Sequence, residues 1–136
     1  MSAISNELLT LLQATAPLNR FVYTEVATVM EMKGNPIPQF TEQALWWMDQ
    51  TWQKGLFEYD REKVEYQLSG SAHNILENNG GIDEDWINRV DSWAASYYVE
   101  LAARFENSEL GSARERIYNR ASDNVIFHQN RIAQKT

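Results

Sequence analysis

Two histidines and two clusters of carboxylates are the residues of this 136-residue chain that could do metal or acid–base chemistry. His73 and His128 belong to neither a Glu-x-x-His nor a His-Glu-x-x-His pattern, which are the usual pairs of a helical metal site. The carboxylates cluster at residues 58–62 and 83–85. An EF-hand alignment of the second cluster fails, because Trp86 would occupy the position of the bidentate glutamate. The sequence therefore predicts no metal or cofactor site, and both clusters are interpreted as helix caps and first-turn acids.

Nucleophiles and phosphate-binding loops are equally poorly represented. The chain has no cysteine, which excludes disulfides, thiolate zinc sites and cysteine nucleophiles. Ser69-Gly70-Ser71 does not match the Gly-x-Ser-x-Gly elbow, and the only paired glycines, Gly80 and Gly81, form no phosphate loop. His128 falls on an apolar helical face, which is typical of a structural histidine. We therefore expect no enzyme, and a carboxylate-dependent enzyme stays only as a third hypothesis.

The tryptophans of the predicted third helix are more informative. Its core face is predicted to consist of Ala44, Leu45, Met48 and Trp52. Trp46 and Trp47 lie about 140° and about 120° from the centre of that face, on opposite sides, at ~100° per residue. Adjacent residues cannot share one face, so at least one of these two rings must contact a second surface.

A second pair of tryptophans lies at the border of the apolar stripe of the predicted fifth helix, in line with charged residues. Aromatic side chains mixed with arginine at the rim of an apolar face are typical of protein–protein hot spots. A helix packed on two sides would carry a similar wide stripe, so a purely structural role is the alternative. The predicted partner-binding residues are Trp46, Trp47, Trp86, Arg89, Trp93, Glu100 and Arg104.

Charge is distributed unevenly along the chain, whose 19 acids and 12 bases give a net charge of −7. Residues 112–136 contain five bases and two acids, and residues 1–111 contain seven bases and seventeen acids. The acidic part favours a basic protein partner. Arg116, Arg120 and Arg131 share a face of the predicted last helix and could contact nucleic acid instead. Nucleic-acid modules are usually basic throughout, so this alternative is the weaker one.

Apolar residues recur at intervals of three and four between the breaks at Pro17, residues 34–38 and Gly80-Gly81, which predicts helices. The segment 21–29 is rich in β-branched residues, so a strand is the alternative there. The predicted fold is an all-α bundle of five to six helices with short loops, and residues 1–136 form a single domain. The predicted helices run from Ser5 to Ala14, Pro17 to Lys33, Glu42 to Lys54, Asp60 to Asn78, Asp83 to Phe105 and Ser112 to Ile132.

These features favour a small acidic protein–protein interaction module, of the inhibitor, immunity, adaptor or assembly-chaperone type, that acts by occupying a partner's surface. We also expect a homodimer through aromatic surface on the third or fifth predicted helix. The alternative is a helical subunit of a nucleoprotein complex. No apolar run reaches the ~18 residues of a membrane span, and the first residues lack the pattern of a secretory signal. We therefore expect a cytoplasmic protein without membrane contact.

Overall fold

The computed structural model describes residues 5–34 and 42–135, with the backbone alone for 42–45. The described part is mostly helical, which confirms the predicted fold class, and a two-stranded hairpin is added to it. Its contacts divide the chain into two compact units, Met1–Asp83 and Glu84–Thr136, so the single domain stays a prediction. The elements in chain order are α1 (Asn6–Thr15), α2 (Tyr23–Met32), α3 (Glu42–Gln53), β1 (Phe57–Asp60), β2 (Glu65–Leu68), α4 (Gly70–Asn78), α5 (Glu84–Arg104) and α6 (Ala113–Ala133).

Local side-chain caps determine where the helices of the first unit begin. Ser5 accepts a hydrogen bond from the backbone N–H of Leu8 at 3.2 Å, as expected of an N-cap. The second helix was predicted from Pro17, but α2 begins only at Tyr23. The carboxylate of Glu25, which is 1% exposed, accepts from the N–H of Val22 at 3.1 Å and fixes this later start. Within the described residues, no helix is long and apolar enough to cross a bilayer.

The predicted helix from Asp60 to Asn78 is wrong in its first half. Residues 57–68 form the antiparallel hairpin of β1 and β2, in which Tyr59 lies opposite Tyr66. Phe21 extends the ladder, because its backbone N–H and C=O bond to those of Tyr66 at 2.9 and 2.8 Å. The helix proper begins at Gly70, since the Ser69 hydroxyl accepts from the N–H of Ala72 at 3.2 Å. Alternating aromatic residues and a long-range strand pair thus override the apparent helical period.

The hairpin turn is held by Asp60 and contains a strained residue. One carboxylate oxygen of Asp60 accepts from the backbone N–H groups of Glu62 and Lys63 at 2.9 and 3.0 Å. The N–H of Val64 bonds to the Asp60 carbonyl at 2.8 Å. Val64 has φ 56°, in the left-handed region that a β-branched side chain rarely adopts. The turn therefore places an exposed valine in an unfavourable backbone conformation.

The second unit consists of the packed helices α5 and α6. Ser112 caps α6 by accepting from the N–H of Glu115 at 3.1 Å, which confirms the predicted start. Its buried apolar cluster combines residues of both helices with partly buried neighbours around them. The cluster contains Ala94, Tyr98, Leu101 and Ala121, packed against Trp93, Tyr97, Ala102, Phe105, Ile117 and Val125.

Candidate functional site

One side chain of α3, that of Trp52, lies on a different side of the helix from the one predicted. Trp46 and Trp52 are exposed over 51% and 48% of their surface, whereas Met48 and Thr51 are buried. Trp47 is partly buried and packs edge-on against Trp46, with ring centroids 4.7 Å apart. The predicted core position of Trp52 is therefore wrong, and the predictions for Ala44 and Leu45 lie outside the described side chains. Sequence reasoning missed Trp52 as a surface residue.

Thr51 explains this difference. Its hydroxyl donates to the carbonyl of Trp47 at 2.7 Å, so a threonine with 0% exposure keeps its hydrogen bond inside the core. The buried side of α3 is consequently centred between Met48 and Thr51. Trp52, one position further along the chain, is rotated by ~100° towards solvent.

Asp49 is exposed and lies one turn after Trp46 and one turn before Trp52. Its carboxylate accepts a hydrogen bond from the side-chain amide of Gln53 at 2.7 Å. Among the described residues, no Lys or Arg lies within salt-bridge distance of it. We call Trp46, Asp49 and Trp52 the α3 strip. The strip combines two large exposed aromatic side chains with a carboxylate that forms no salt bridge to the described residues.

The hairpin supplies further aromatic surface near the α3 strip. The rings of Tyr59 and Tyr66 have centroids 4.7 Å apart, and Tyr59 is 37% exposed. Burial raises the pKa of the Tyr66 hydroxyl, and the nearby Tyr59 and the negative charge of Asp49 raise it further. Asp49 therefore lies close enough to the hairpin for its charge to act on Tyr66.

A solvent-open cavity of about 440 Å³ lies in the first unit, lined by hairpin residues and by Arg20. Its acids already have partners within the unit. Glu65 pairs with the guanidinium of Arg20 at 3.2 Å, and Glu58 accepts from the amide of Gln67 at 2.8 Å. The bond from the backbone N–H of Lys63 lowers the pKa of the third acid, Asp60; desolvation opposes it, and the bond from the N–H of Glu62 lowers the pKa further. A carboxylate with a lowered pKa is a poor general acid at neutral pH.

The predicted interface on α5 is only partly exposed. Trp86 is 4% exposed and Arg89 covers it, with the guanidinium carbon 5.3 Å from the ring centroid. Trp93 is partly buried and stacks on Tyr97, with centroids 4.7 Å apart and 18° between the planes. Trp86 therefore offers little surface to a partner. Glu100 and Arg104 are exposed on the same helix.

The three arginines predicted to share an outer face of α6 differ in their exposure to solvent. Arg116 is exposed, but Arg120 is 6% exposed and Arg131 bonds to Asp91. The wheel placed Arg120 opposite the apolar stripe, whereas it lies on the buried side of α6 together with Asn124 and His128. Buried polar residues, which a hydrophobic stripe does not reveal, define this side of the helix.

A buried polar cluster joins the two long helices. Nδ1 of His128 lies 2.7 Å from Oδ1 of Asp91, and Nε of Arg131 donates to both Asp91 oxygens at 3.0 and 2.9 Å. Lys135 lies 3.7 Å from the same carboxylate and bonds to Asn88. Burial by itself would raise the pKa of Asp91, but hydrogen bonds from Arg131 and His128 outweigh it and lower the pKa. Burial lowers the pKa of His128, although Asp91 opposes this.

His128 is the fully buried base of this cluster. The side chain is fully buried, as its predicted apolar face implied. Within the described part of the chain its Nε2 atom has no hydrogen-bond partner, and no group of three or more His, Cys, Asp or Glu could hold a metal ion. The hydrogen-bond partner of His128 is Asp91. In the sequence, this residue stands out as an acid that directly follows Val90 of the apolar stripe of α5.

Comparison with known proteins identifies no relative from which a function could be transferred. No family model matches the chain, no curated protein matches it, and no solved structure matches it. Function must therefore be inferred from the geometry and charge of the sites described above.

Proposed function

We propose that this protein is a small acidic interaction module that binds a protein partner through the α3 strip and the neighbouring Tyr59. The observation that carries the proposal is the exposure of two tryptophans of one helix, 51% at Trp46 and 48% at Trp52. Tryptophan is among the residues most enriched at binding hot spots. Covering the exposed half of one such ring removes about 100 Å² from water and contributes about 2–3 kcal/mol.

The surroundings of the strip favour a basic partner. Asp49 lies within the strip, and the exposed charged side chains at residues 58–63 of the hairpin next to it are three acids, Glu58, Asp60 and Glu62, and two bases, Arg61 and Lys63. Opposite charge accelerates encounter and selects among partners more than it adds affinity. The module would act by occupying a surface of its partner, which fits an inhibitor, an immunity protein, an adaptor or an assembly chaperone.

The α5 residues contribute less to this proposal than the sequence suggested. Trp86 is left out because its ring is buried. Trp93, Arg89, Glu100 and Arg104 remain candidates for a secondary contact. The nucleic-acid alternative is weakened, because Arg120 is buried and Arg131 is bonded to Asp91. A homodimer would bring two acidic strips together, which their like charge opposes.

Affinity capture from lysate of the native host tests the proposal. The tagged protein should retain a stoichiometric protein partner after nuclease treatment, identified by mass spectrometry. The variants Trp46→Ala and Trp52→Ala should lose that partner while keeping their circular dichroism spectrum. Ile126→Ala is the matched control, because Ile126 is 59% exposed on α6, far along the chain from the strip. Capture that both tryptophan variants retain would refute the proposal, and capture that requires nucleic acid would favour the nucleoprotein alternative.

A further inference from the structure

We infer that the α3 strip receives a cationic side chain of the partner, an arginine or a lysine, at Asp49 between Trp46 and Trp52. This inference rests on the proposed function and names the chemistry that the strip recognises. Its occupant is an exposed basic segment of a protein, which the negative charge of the surrounding surface complements.

The spacing of the strip places Asp49 one helical turn from each of the two tryptophans. Residues three apart on a helix have Cβ atoms about 5–6 Å apart, so Asp49 neighbours both Trp46 and Trp52. The carboxylate can accept about four hydrogen bonds, and the structure shows one, from the neutral amide of Gln53. The remaining acceptor sites are available to a guanidinium or an ammonium group, which forms stronger hydrogen bonds than a neutral donor.

Other aromatic rings of this chain already contact a cation of the chain itself. The guanidinium carbons of Arg89, Arg114 and Arg131 lie 5.3, 4.7 and 4.8 Å from the ring centroids of Trp86, Phe105 and Phe127. Within the described residues, no Lys or Arg makes such a contact with Trp46 or Trp52. The strip therefore has the rings and the carboxylate of a cation site, and the partner has to supply the cation.

A peptide titration followed by NMR tests this inference without knowledge of the partner. The probe is acetyl-Gly-Arg-Gly-Arg-Gly-amide, and the control probe contains citrulline, the neutral isostere of arginine, in place of both arginines. The arginine peptide should shift the indole N–H signals of Trp46 and Trp52 saturably, and should bind at least tenfold more tightly than the citrulline peptide. Asp49→Asn should reduce that affinity about tenfold, whereas Asp123→Asn, at an exposed acid of α6, should leave it unchanged.

The outcomes separate this inference from the proposed function. Equal binding of both peptides, or no shift at either indole, would overturn the cation site. If Trp46→Ala and Trp52→Ala nevertheless abolish capture of the partner, the interaction module stands and only its cationic ligand is wrong. If the arginine peptide binds at Asp49 but the captured partner does not require the two tryptophans, the cation site stands and the proposed function fails.

Discussion

Nδ1 of His128 on α6 lies 2.7 Å from Oδ1 of Asp91 on α5, and the two side chains are 0% and 1% exposed. Because burial lowers the pKa of His128, its imidazole is neutral at pH 7 and its Nδ1–H donates to the carboxylate. Asp91 is then the anion of the cluster and Arg131 its principal cation. A buried ion pair of this kind becomes strongly destabilising when one of its partners is lost. Protonation of His128 or Asp91 should therefore weaken the packing of α5 against α6.

The free energy of unfolding should fall as the pH decreases from about 7.5 to 5.5. The pKa of His128 lies below the unfolded value of 6.5, so the unfolded chain takes up a proton before the folded chain does. The loss reaches at most about 1.4 kcal/mol per pH unit between the two pKa values. Asp91, whose pKa is lowered from 3.8, adds a second loss only at lower pH, as the pH falls through its folded value. Urea denaturation at a series of pH values measures both losses.

The two histidines provide the control for this pH dependence. His128→Gln should reduce the difference in stability between pH 7.5 and pH 5.5, because it removes the group that titrates. His73→Gln, at an exposed position on α4, should leave the difference as it is in the wild type. An undiminished difference in His128→Gln would show that His128 is not responsible.

Removing the carboxylate of Asp91 should be strongly destabilising. Asp91→Ala removes the buried carboxylate to which His128 and Arg131 bond, and breaking a buried pair in this way costs about 3–5 kcal/mol. Glu100→Gln, at an exposed position on the same helix, should change the stability by no more than about 0.5 kcal/mol. Chemical denaturation of both variants measures the difference. Similar values for the two would mean that the cluster contributes no net stability.

Val64→Gly should stabilise the protein. Val64 has φ 56°, and the left-handed region costs a non-glycine residue roughly 1–2 kcal/mol. Glycine avoids this strain but makes the unfolded chain more flexible, which favours unfolding. We therefore expect the free energy of unfolding to rise by up to about 1 kcal/mol. Val99→Gly, at a similarly exposed position inside α5, should instead lose stability. Thermal denaturation compares the two, and a lower Tm for Val64→Gly would contradict the strain.

The limits of α6 and the cap at Ser5 could be predicted because they depend on neighbouring residues. The hairpin could not, since Val64, Leu68 and Ala72 recur at a helical interval of four although they lie in a turn, a strand and a helix. What decides the structure there is the pairing of Tyr66 with Phe21, a contact far along the chain. A local pattern contains no information about such a partner.

The candidate site was predicted in part for a similar reason. That Trp46 lies off the core face of α3 followed from helix geometry. The orientation of Trp52 could not be predicted because Thr51, a polar residue, was expected at the surface. In the structure Thr51 is buried and its hydroxyl bonds to the Trp47 carbonyl, so Thr51 belongs to the core. Likewise, Arg120 and Asn124 are polar residues that the structure buries. A prediction from hydrophobic periodicity assigns such residues to the surface. The buried face that it predicts is therefore rotated about the helix axis relative to the observed one.

Trp86→Ala and Trp52→Ala should therefore differ sharply in stability, although both tryptophans are helical. Trp86 is 4% exposed, and truncating a buried tryptophan costs about 3–5 kcal/mol, because it leaves a cavity and loses the packing with Arg89. Trp52 is 48% exposed, so its truncation should cost less than about 1 kcal/mol. Urea denaturation at pH 7.5 gives both values. The reverse order would place Trp52 in the core after all, and any loss of partner binding in Trp52→Ala would then reflect unfolding rather than a missing contact.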